Sequence, residues 1–234
     1  MRKSRNENLL IWSKKIGAAL LATFAITVAH AQQDVTRLDP PQPVENDGKV
    51  EVLEFFAYGC GHCANLEPSL EGWIKKQRSD VKIKRVPSPA PLMGIDSTVL
   101  YYSLEAMGQI NRLHAKIFDA AHVQKVVLGN PAVLNSWLEK NGVDPKKYDD
   151  VKKSFSVVTK VNRARQMVGQ YQLHVTPTMV VNGRFAVEPG NSSTAIMFAK
   201  IDQLITQARA SVKSATSPVV SHPSTKKPAA VAAK

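Results

Sequence analysis

Lys49 to Tyr58 (KVEVLEFFAY) is a nearly continuous apolar run of strand length, rich in Val and Phe and ended by Gly59. That pattern suits a strand buried on both faces. A helix beginning at Cys60 follows, with Leu66, Leu70, Trp73 and Ile74 at helical spacing. Val81 to Val86 (VKIKRV) alternates and reads as a second strand, after which Pro87, Pro89 and Pro91 break the chain. From about Ile95 to Leu173 the pattern is helical. Ile110, Leu113, Ile117, Phe118 and Ala121 form one stripe. Asn130 followed by Pro131 is a helix N-cap with proline at the first helical position. That helix carries Leu134, Trp137 and Leu138 and stops near Gly142. Asp144-Pro145 repeats the start signal, with Tyr148, Val151 and Phe155 as its stripe, and Val161, Ala164, Met167, Val168 and Tyr171 follow similarly. Strand character returns at Thr178 to Val181, Asn182-Gly183 is a strong hairpin signal, and Arg184 to Val187 is the return strand. Ser193 to Ala210 reads as a final helix with Ile196, Phe198, Ile201, Leu204 and Ile205.

The element order is therefore β-α-β, a helical block, then β-β-α, in an α/β chain with no internal repeat. Gln32 to Gly48 is polar and proline-bearing and reads as an exposed lead-in. Beyond Ser211 the chain is rich in Ala, Pro, Ser and Lys, the composition of a disordered tail.

The first residues address the compartment. Arg2, Lys3, Arg5, Lys14 and Lys15 precede a 13-residue uncharged, mostly apolar run, Ile16 to Val28, and then Ala29-His30-Ala31. This is the order of a secretory signal with cleavage after Ala31. A membrane anchor would need about 20 apolar residues. Cleavage there leaves about 200 residues, enough for one domain with a real core. The formal net charge is +12, but the leader region and the four lysines beyond Ser211 supply two-thirds of it. No interleaving of basic and aromatic residues accompanies the rest, so nucleic-acid binding is not indicated.

The chain has two cysteines, Cys60 and Cys63, in the sequence Cys60-Gly61-His62-Cys63. A C-x-x-C pair is either a redox dithiol, half of a zinc site, or two inert thiols. Zinc takes about four ligands, and the chain offers no second C-x-x-C or H-x-x-x-H. Export places the pair where disulfides persist. A secreted chain that used disulfides only as staples would be smaller and richer in cysteine. A redox role is therefore expected. At a helix N-terminus, Cys60 meets unpaired N–H groups and the positive end of the helix dipole. It is expected to be an exposed, low-pKa thiolate, with His62 adding a donor or a positive charge. Cys63, nearly one turn deeper, is expected to be the buried resolving thiol. Glu54 is the odd residue in the apolar strand, where burial should raise its pKa; a structural ion pair with Lys84 or Arg85 on the neighbouring strand is the other reading, compatible with the first. Glu67 reads as a solvated helix residue. His114, His122 and His174 read as structural or surface residues.

With LEFFAYGCGHC (Leu53 to Cys63), VTPTMVVNGRF (Val175 to Phe185) and the helical insertion between them, the chain resembles the DsbA-type thiol–disulfide oxidoreductases of the bacterial periplasm. The resemblance spans all but the two ends. It implies a thioredoxin-like fold with an inserted all-helical domain. On that reading residues 1–31 are the signal peptide and 32–48 the lead-in. Residues 49–92 and 174–210 form the thioredoxin-like core, 93–173 the insertion, and 211–234 the tail. It also implies a cis Pro177 packed beside the disulfide, Thr176 presenting its backbone to an extended substrate segment with Val175 and Gly61 alongside, and Glu54 moving the proton of Cys63. The catalytic set so implied is Cys60, Cys63, His62, Pro177 and Glu54. The implied partners are reduced, unfolded exported proteins and a membrane quinone-linked reoxidase of the DsbB type, with the enzyme a monomer and no metal or organic cofactor. Gly61-His62 and Thr176 also occur in disulfide isomerases and reductases, which makes that activity the alternative enzyme. A chaperone-like peptide-binding module with a structural disulfide is the alternative from another class.

Overall fold

Val50–Phe56 (β2) is buried at every residue, which explains why its sequence does not alternate. The computed structural model describes residues 35–89, 96–190 and 192–216. Strand β2 lies inside a five-stranded sheet of order β1-β5-β4-β2-β3. Its parallel partner is Val81–Pro87 (β3), in register Val50↔Val81 through Phe56↔Pro87. Gly61–Ile74 (α1) makes the crossover between them, as a parallel pair requires. On the other side β2 pairs antiparallel with Thr178–Val181 (β4), which turns into Phe185–Val187 (β5).

The turn is the expected hairpin. Asn182 and Gly183 both have positive φ, 50° and 63°, as a primed turn requires; Arg184 N–H closes it on Val181 O at 3.0 Å, and pairing resumes at Val181↔Phe185. Gly183 answers a second demand as well. The incoming chain crosses it, Gln42 N–H donating to Gly183 O at 2.7 Å. A Cβ on Gly183 would stand 2.2 Å from Gln42 O.

That crossing segment holds a strand that the sequence pattern does not reveal. Val35–Arg37 (β1), inside the stretch read as an exposed lead-in, pairs antiparallel with β5 at the sheet edge. Three residues give too little alternation to register as a strand, and the pairing partner is far away in the chain. The far end also differs from expectation. The last helix, Thr194–Thr216 (α7), runs past the point where disorder was expected. Arg209 forms two hydrogen bonds to Asp80, at 2.9 and 3.0 Å, and Val212 packs on the cluster that holds Val81 and Ile83. An Ala/Ser/Lys composition is compatible with helix when such anchors exist. The leader, with the cleavage expected after Ala31, and residues 217–234 of the tail lie outside the described residues.

Two layers of helix cover the sheet. On one face Val50, Val52, Met179, Val181 and Val187 pack against Leu66, Leu70 and Trp73 of α1 and Phe198, Ile201 and Ile205 of α7. On the other, Leu53, Phe55, Val86 and Val180 meet Ala164 and Met167 of Phe155–Gln170 (α6). Between β3 and β4 the chain forms Ser97–Ala106 (α2), Ile110–His122 (α3), Pro131–Lys140 (α4), Pro145–Val151 (α5) and α6. Asn130 Oδ1 accepts from Ala132 N and Val133 N, and Asp144 Oδ1 from Lys146 N, as their Asn-Pro and Asp-Pro sequences indicate. The core of this helical block includes Leu104, Leu113, Ile117, Phe118 and Leu138. It also includes Phe56, Tyr58, Cys60 and Cys63 from the end of β2 and the start of α1. The cysteine loop is thus part of the hydrophobic core of the insertion.

The crossing at the hairpin yields a test. Gly183→Ala meets both a left-handed backbone and a backbone oxygen. It should lower stability by more than about 1 kcal/mol, read as a drop in the urea midpoint, whereas Gly61→Ala, whose Cβ meets nothing within 4 Å, should leave it nearly unchanged.

Candidate active site

Cys60 ends the turn that follows β2. Its N–H donates to Ala57 O at 3.0 Å, and with φ −85° and ψ 114° it occupies the N-cap position of α1. N-caps are normally Ser, Thr, Asp or Asn, whose oxygen accepts from the first free N–H groups. Here the sulfur takes that place: Cys63 N–H donates to Cys60 Sγ at 3.2 Å. Both cysteines are free thiols, and the Cys60 thiol donates to Thr176 O at 3.2 Å. Cys60 is 7% exposed and Cys63 1%. This corrects the expectation of an exposed Cys60. The Thr176-Pro177 segment and the helical insertion close over it.

The environments split the two thiols. The Cys63 thiol, the Thr176 side chain and the N–H groups of Cys63 and His62 all favour the Cys60 thiolate. Against the opposition of burial they bring its pKa down to about 5. The Cys63 thiol is pushed far up, because it donates to Cys60 and because it is buried.

Around the thiols stand the other residues singled out in the sequence. The Thr176–Pro177 peptide is cis and Pro177 is buried. His62 and Gly61 are exposed on the first turn of α1. Val175 is 45% exposed, and its carbonyl accepts from Thr178 Oγ1 at 2.8 Å. His62, Asn65, Leu66, Pro177, Pro189 and Met197 line a hollow of about 190 Å3 beside Cys60. A larger hollow, about 990 Å3, runs along β3 past Lys84 and Arg85, and none of its lining residues belongs to the dithiol loop.

Glu54 is 1% exposed. Register places it opposite Arg85, whose Nε donates to Glu54 Oε2 at 2.9 Å. Lys84, one residue earlier, points to the other face and pairs with Glu45 and Glu51. Burial raises the pKa of Glu54 to about 7, Arg85 opposing and Glu67 adding to the rise. Arg85 serves three carboxylates, reaching also Glu67 at 3.0 Å and Glu71 at 2.7 Å. Glu67 is thus not the solvated residue expected from sequence: it is 4% exposed. It lies one turn beyond Cys63, on the same inward face of α1. Burial opposes its ionisation, but His114 and Arg85 outweigh burial and hold its carboxyl below the usual range.

Three residues read as structural or left unmarked converge on the loop. His114 Nε2 stands 3.4 Å from Glu67 Oε2, outside hydrogen-bond geometry, and its Nδ1 lies 2.8 Å from Tyr58 Oη. Burial lowers the basicity of His114 despite Glu67. His122 Nε2 lies 2.8 Å from Tyr58 O. The signal was present in the sequence, since His114 and His122 are two helical turns apart on one face of a strongly amphipathic helix. His174 is exposed.

A low-pKa thiol capping the helix after the central strand, a buried partner thiol three residues on and a cis-proline peptide against them define a thiol–disulfide oxidoreductase of the thioredoxin class. The DSBA-like thioredoxin domain family matches residues 93–201. The thiol:disulfide interchange protein DsbA of Bordetella bronchiseptica is 37% identical over 205 residues, which cover 85% of this chain and 97% of that protein. That of Pseudomonas aeruginosa strain PAO1 is 32% identical over 184 residues, covering 78% and 87%. The crystal structure of Pseudomonas aeruginosa DsbA superposes with a TM-score of 0.69 at 31% identity, over 77% of this chain and 94% of that one. DsbA from Xylella fastidiosa gives 0.68 at 27% identity, over 76% and 96%. The chain belongs to the DsbA family and is a thiol:disulfide oxidoreductase.

Two measurements probe these environments. Iodoacetamide labelling with mass-spectrometric site assignment should show Cys60 reacting with a midpoint near about 5, far below the ordinary thiol value of about 8.5, and Cys63 hardly reacting. Glu54 carries a raised pKa, so its ionisation disfavours the folded state as pH climbs from the free-carboxylate range towards about 7. The stability of Glu54→Gln relative to the parent should therefore grow over that window, by no more than about 3 kcal/mol, in urea titrations at pH 4, 6 and 8.

Proposed function

We propose that this protein donates its Cys60–Cys63 disulfide to reduced, unfolded exported proteins in the periplasm. The observation that carries the reading is the asymmetry of the two thiols: Cys60 is held as a thiolate near pH 5 while Cys63 is held protonated. A substrate thiolate attacks Cys60 Sγ. The bond between Cys60 and Cys63 breaks, and a mixed disulfide forms between the substrate and Cys60. Cys63 leaves with the electron pair and takes up a proton. Glu54, titrating near neutrality in the buried layer, is the group suited to give that proton. A second substrate thiolate then attacks the substrate sulfur. Cys60 leaves as a stabilised thiolate, which speeds this exchange. The substrate is oxidised by two electrons, which remain on Cys60 and Cys63.

The other site residues receive roles in the same scheme. The backbone of Val175 and Thr176, with Gly61 opposite, flanks the attacked sulfur and suits an extended substrate segment. Pro177 closes the base of that approach, and His62 contributes an exposed polar rim. A membrane quinone-linked protein of the DsbB type would accept the two electrons and restore the disulfide. The leader directs export, with cleavage after Ala31, and the enzyme acts as a monomer without metal or organic cofactor. In this reading the thioredoxin-like core is contributed from both sides of the insertion, with β1 from the lead-in and the last helix extended to Thr216 added to it. Gly61 and Thr176 favour a second reading, an isomerase or reductase, and the direction of the redox equilibrium separates the two.

The test is stability in the two redox states. A depressed Cys60 pKa adds stability to the reduced fold above the unfolded thiol value of about 8.5, and that contribution is lost as pH falls through about 5. At pH 7 it is worth on the order of 2 kcal/mol after screening at a helix end near solvent. Denaturant unfolding should therefore show the reduced protein more stable than the oxidised one at pH 7, with the margin closing towards pH 5. A higher midpoint for the oxidised form would favour the isomerase or reductase. Loss of dithiol-oxidising activity in Cys60→Ser separates catalysis from mere peptide binding.

A further inference from the structure

Tyr58 stands two residues before Cys60 and is fully buried. Every one of its polar groups is engaged by the helical insertion. Its N–H donates to Ser97 Oγ at 2.9 Å, its carbonyl accepts from His122 Nε2 at 2.8 Å, and its hydroxyl meets His114 Nδ1 at 2.8 Å. Ser97 is the first residue of α2, and both histidines lie on α3. The ring packs edge-on against Phe56 and Phe118. Immediately before it, Ala57 O accepts from Cys60 N at 3.0 Å. Ala57 and Tyr58 therefore form a strap leading into Cys60, and the insertion holds that strap.

We propose that the helical insertion sets the redox poise of the dithiol through this strap, with His122 as the positioning residue that fixes the peptide between Tyr58 and Gly59. The effect falls on one redox state. In the oxidised protein the bond to Cys63 itself holds Cys60 at the end of α1. In the reduced protein that covalent tie is gone, and the Cys60 N–H to Ala57 O bond must keep the sulfur over the free N–H groups. Fixing Tyr58 O fixes the next peptide, and so fixes how Cys60 enters the cap. Releasing it costs the reduced form thiolate stabilisation and costs the oxidised form little. His122 is preferred to His114 because its contact is with the main chain of the turn. His114 is also tied to the Glu67–Arg85 layer, so its replacement would alter the charges there.

This inference rests on Cys60 being the stabilised thiolate, and the test separates the two. Parent, His122→Ala, His122→Asn and His122→Gln are equilibrated with glutathione, and Cys60 labelling is followed against pH. Gln can place an amide N–H near the Nε2 position, whereas Asn is too short. In His122→Ala and His122→Asn the ratio [GSH]2/[GSSG] at half-reduction should rise about fivefold, the net worth of one hydrogen bond. The Cys60 labelling midpoint should move up with it. His122→Gln should return both to within about twofold of the parent, that bond being restored. Unchanged ratio and labelling in Ala and Asn, whatever their urea midpoints, would overturn the strap, as would a shift that Gln does not reverse. Should the parent itself label Cys60 at the ordinary thiol midpoint, the reading of Cys60 would fail, independently of His122.

Discussion

One hydrogen bond organises the chemistry of this chain: the amide of Cys63 pointing at the sulfur of Cys60, 3.2 Å away. A helix must satisfy its first N–H groups, and here the acceptor that meets one of them is also the reactive sulfur of the dithiol. Negative charge on that sulfur improves the cap, and a better cap stabilises the charge. The rest of the structure keeps this pairing in place. Strand β2, buried along its length, delivers the turn to a fixed point, and the core of the insertion closes around it.

Below the thiols the charges are arranged with similar economy. Arg85 is one cation among Glu54, Glu67 and Glu71. Burying an unpaired carboxylate is costly, and three carboxylates against one guanidinium cannot all be equally satisfied. The result is division of labour by environment. Glu67, gripped by Arg85 beside His114, stays ionised, while Glu54, more completely buried, titrates near neutrality.

What the sequence made legible follows from range. Local rules located β2, the Asn-Pro and Asp-Pro helix starts, the Asn182-Gly183 turn and the dithiol at a helix end, because each depends on residues within a few positions of one another. The misses depended on distant partners. Val35–Arg37 becomes a strand only because β5 lies beside it. Residues 211–216 remain helical where Arg209 reaches Asp80 and Val212 packs against the core between the sheet and α7. Glu67 looks like any helix carboxylate until α1 turns it towards Arg85, and Tyr58 looks like any core aromatic until Ser97, His114 and His122 surround it. Even the exposure of Cys60 was a tertiary matter, decided by the Thr176 segment.

The sheet ends on one side in β1, three residues long, and on the other in β3. An outer strand with free backbone groups is a template on which another chain can crystallise into sheet. A protein proposed to handle polypeptides that have not finished folding meets such chains constantly. Strand β3 carries Lys82, Lys84 and Arg85 and closes on Pro87, and the first two are drawn across it by Glu45 and Asp47 from the incoming segment. Charge and proline are what natural sheets use to stay unsociable. The border of the fold thus discourages lasting backbone pairing with a client, which leaves the sulfur as the place where the two chains join and part.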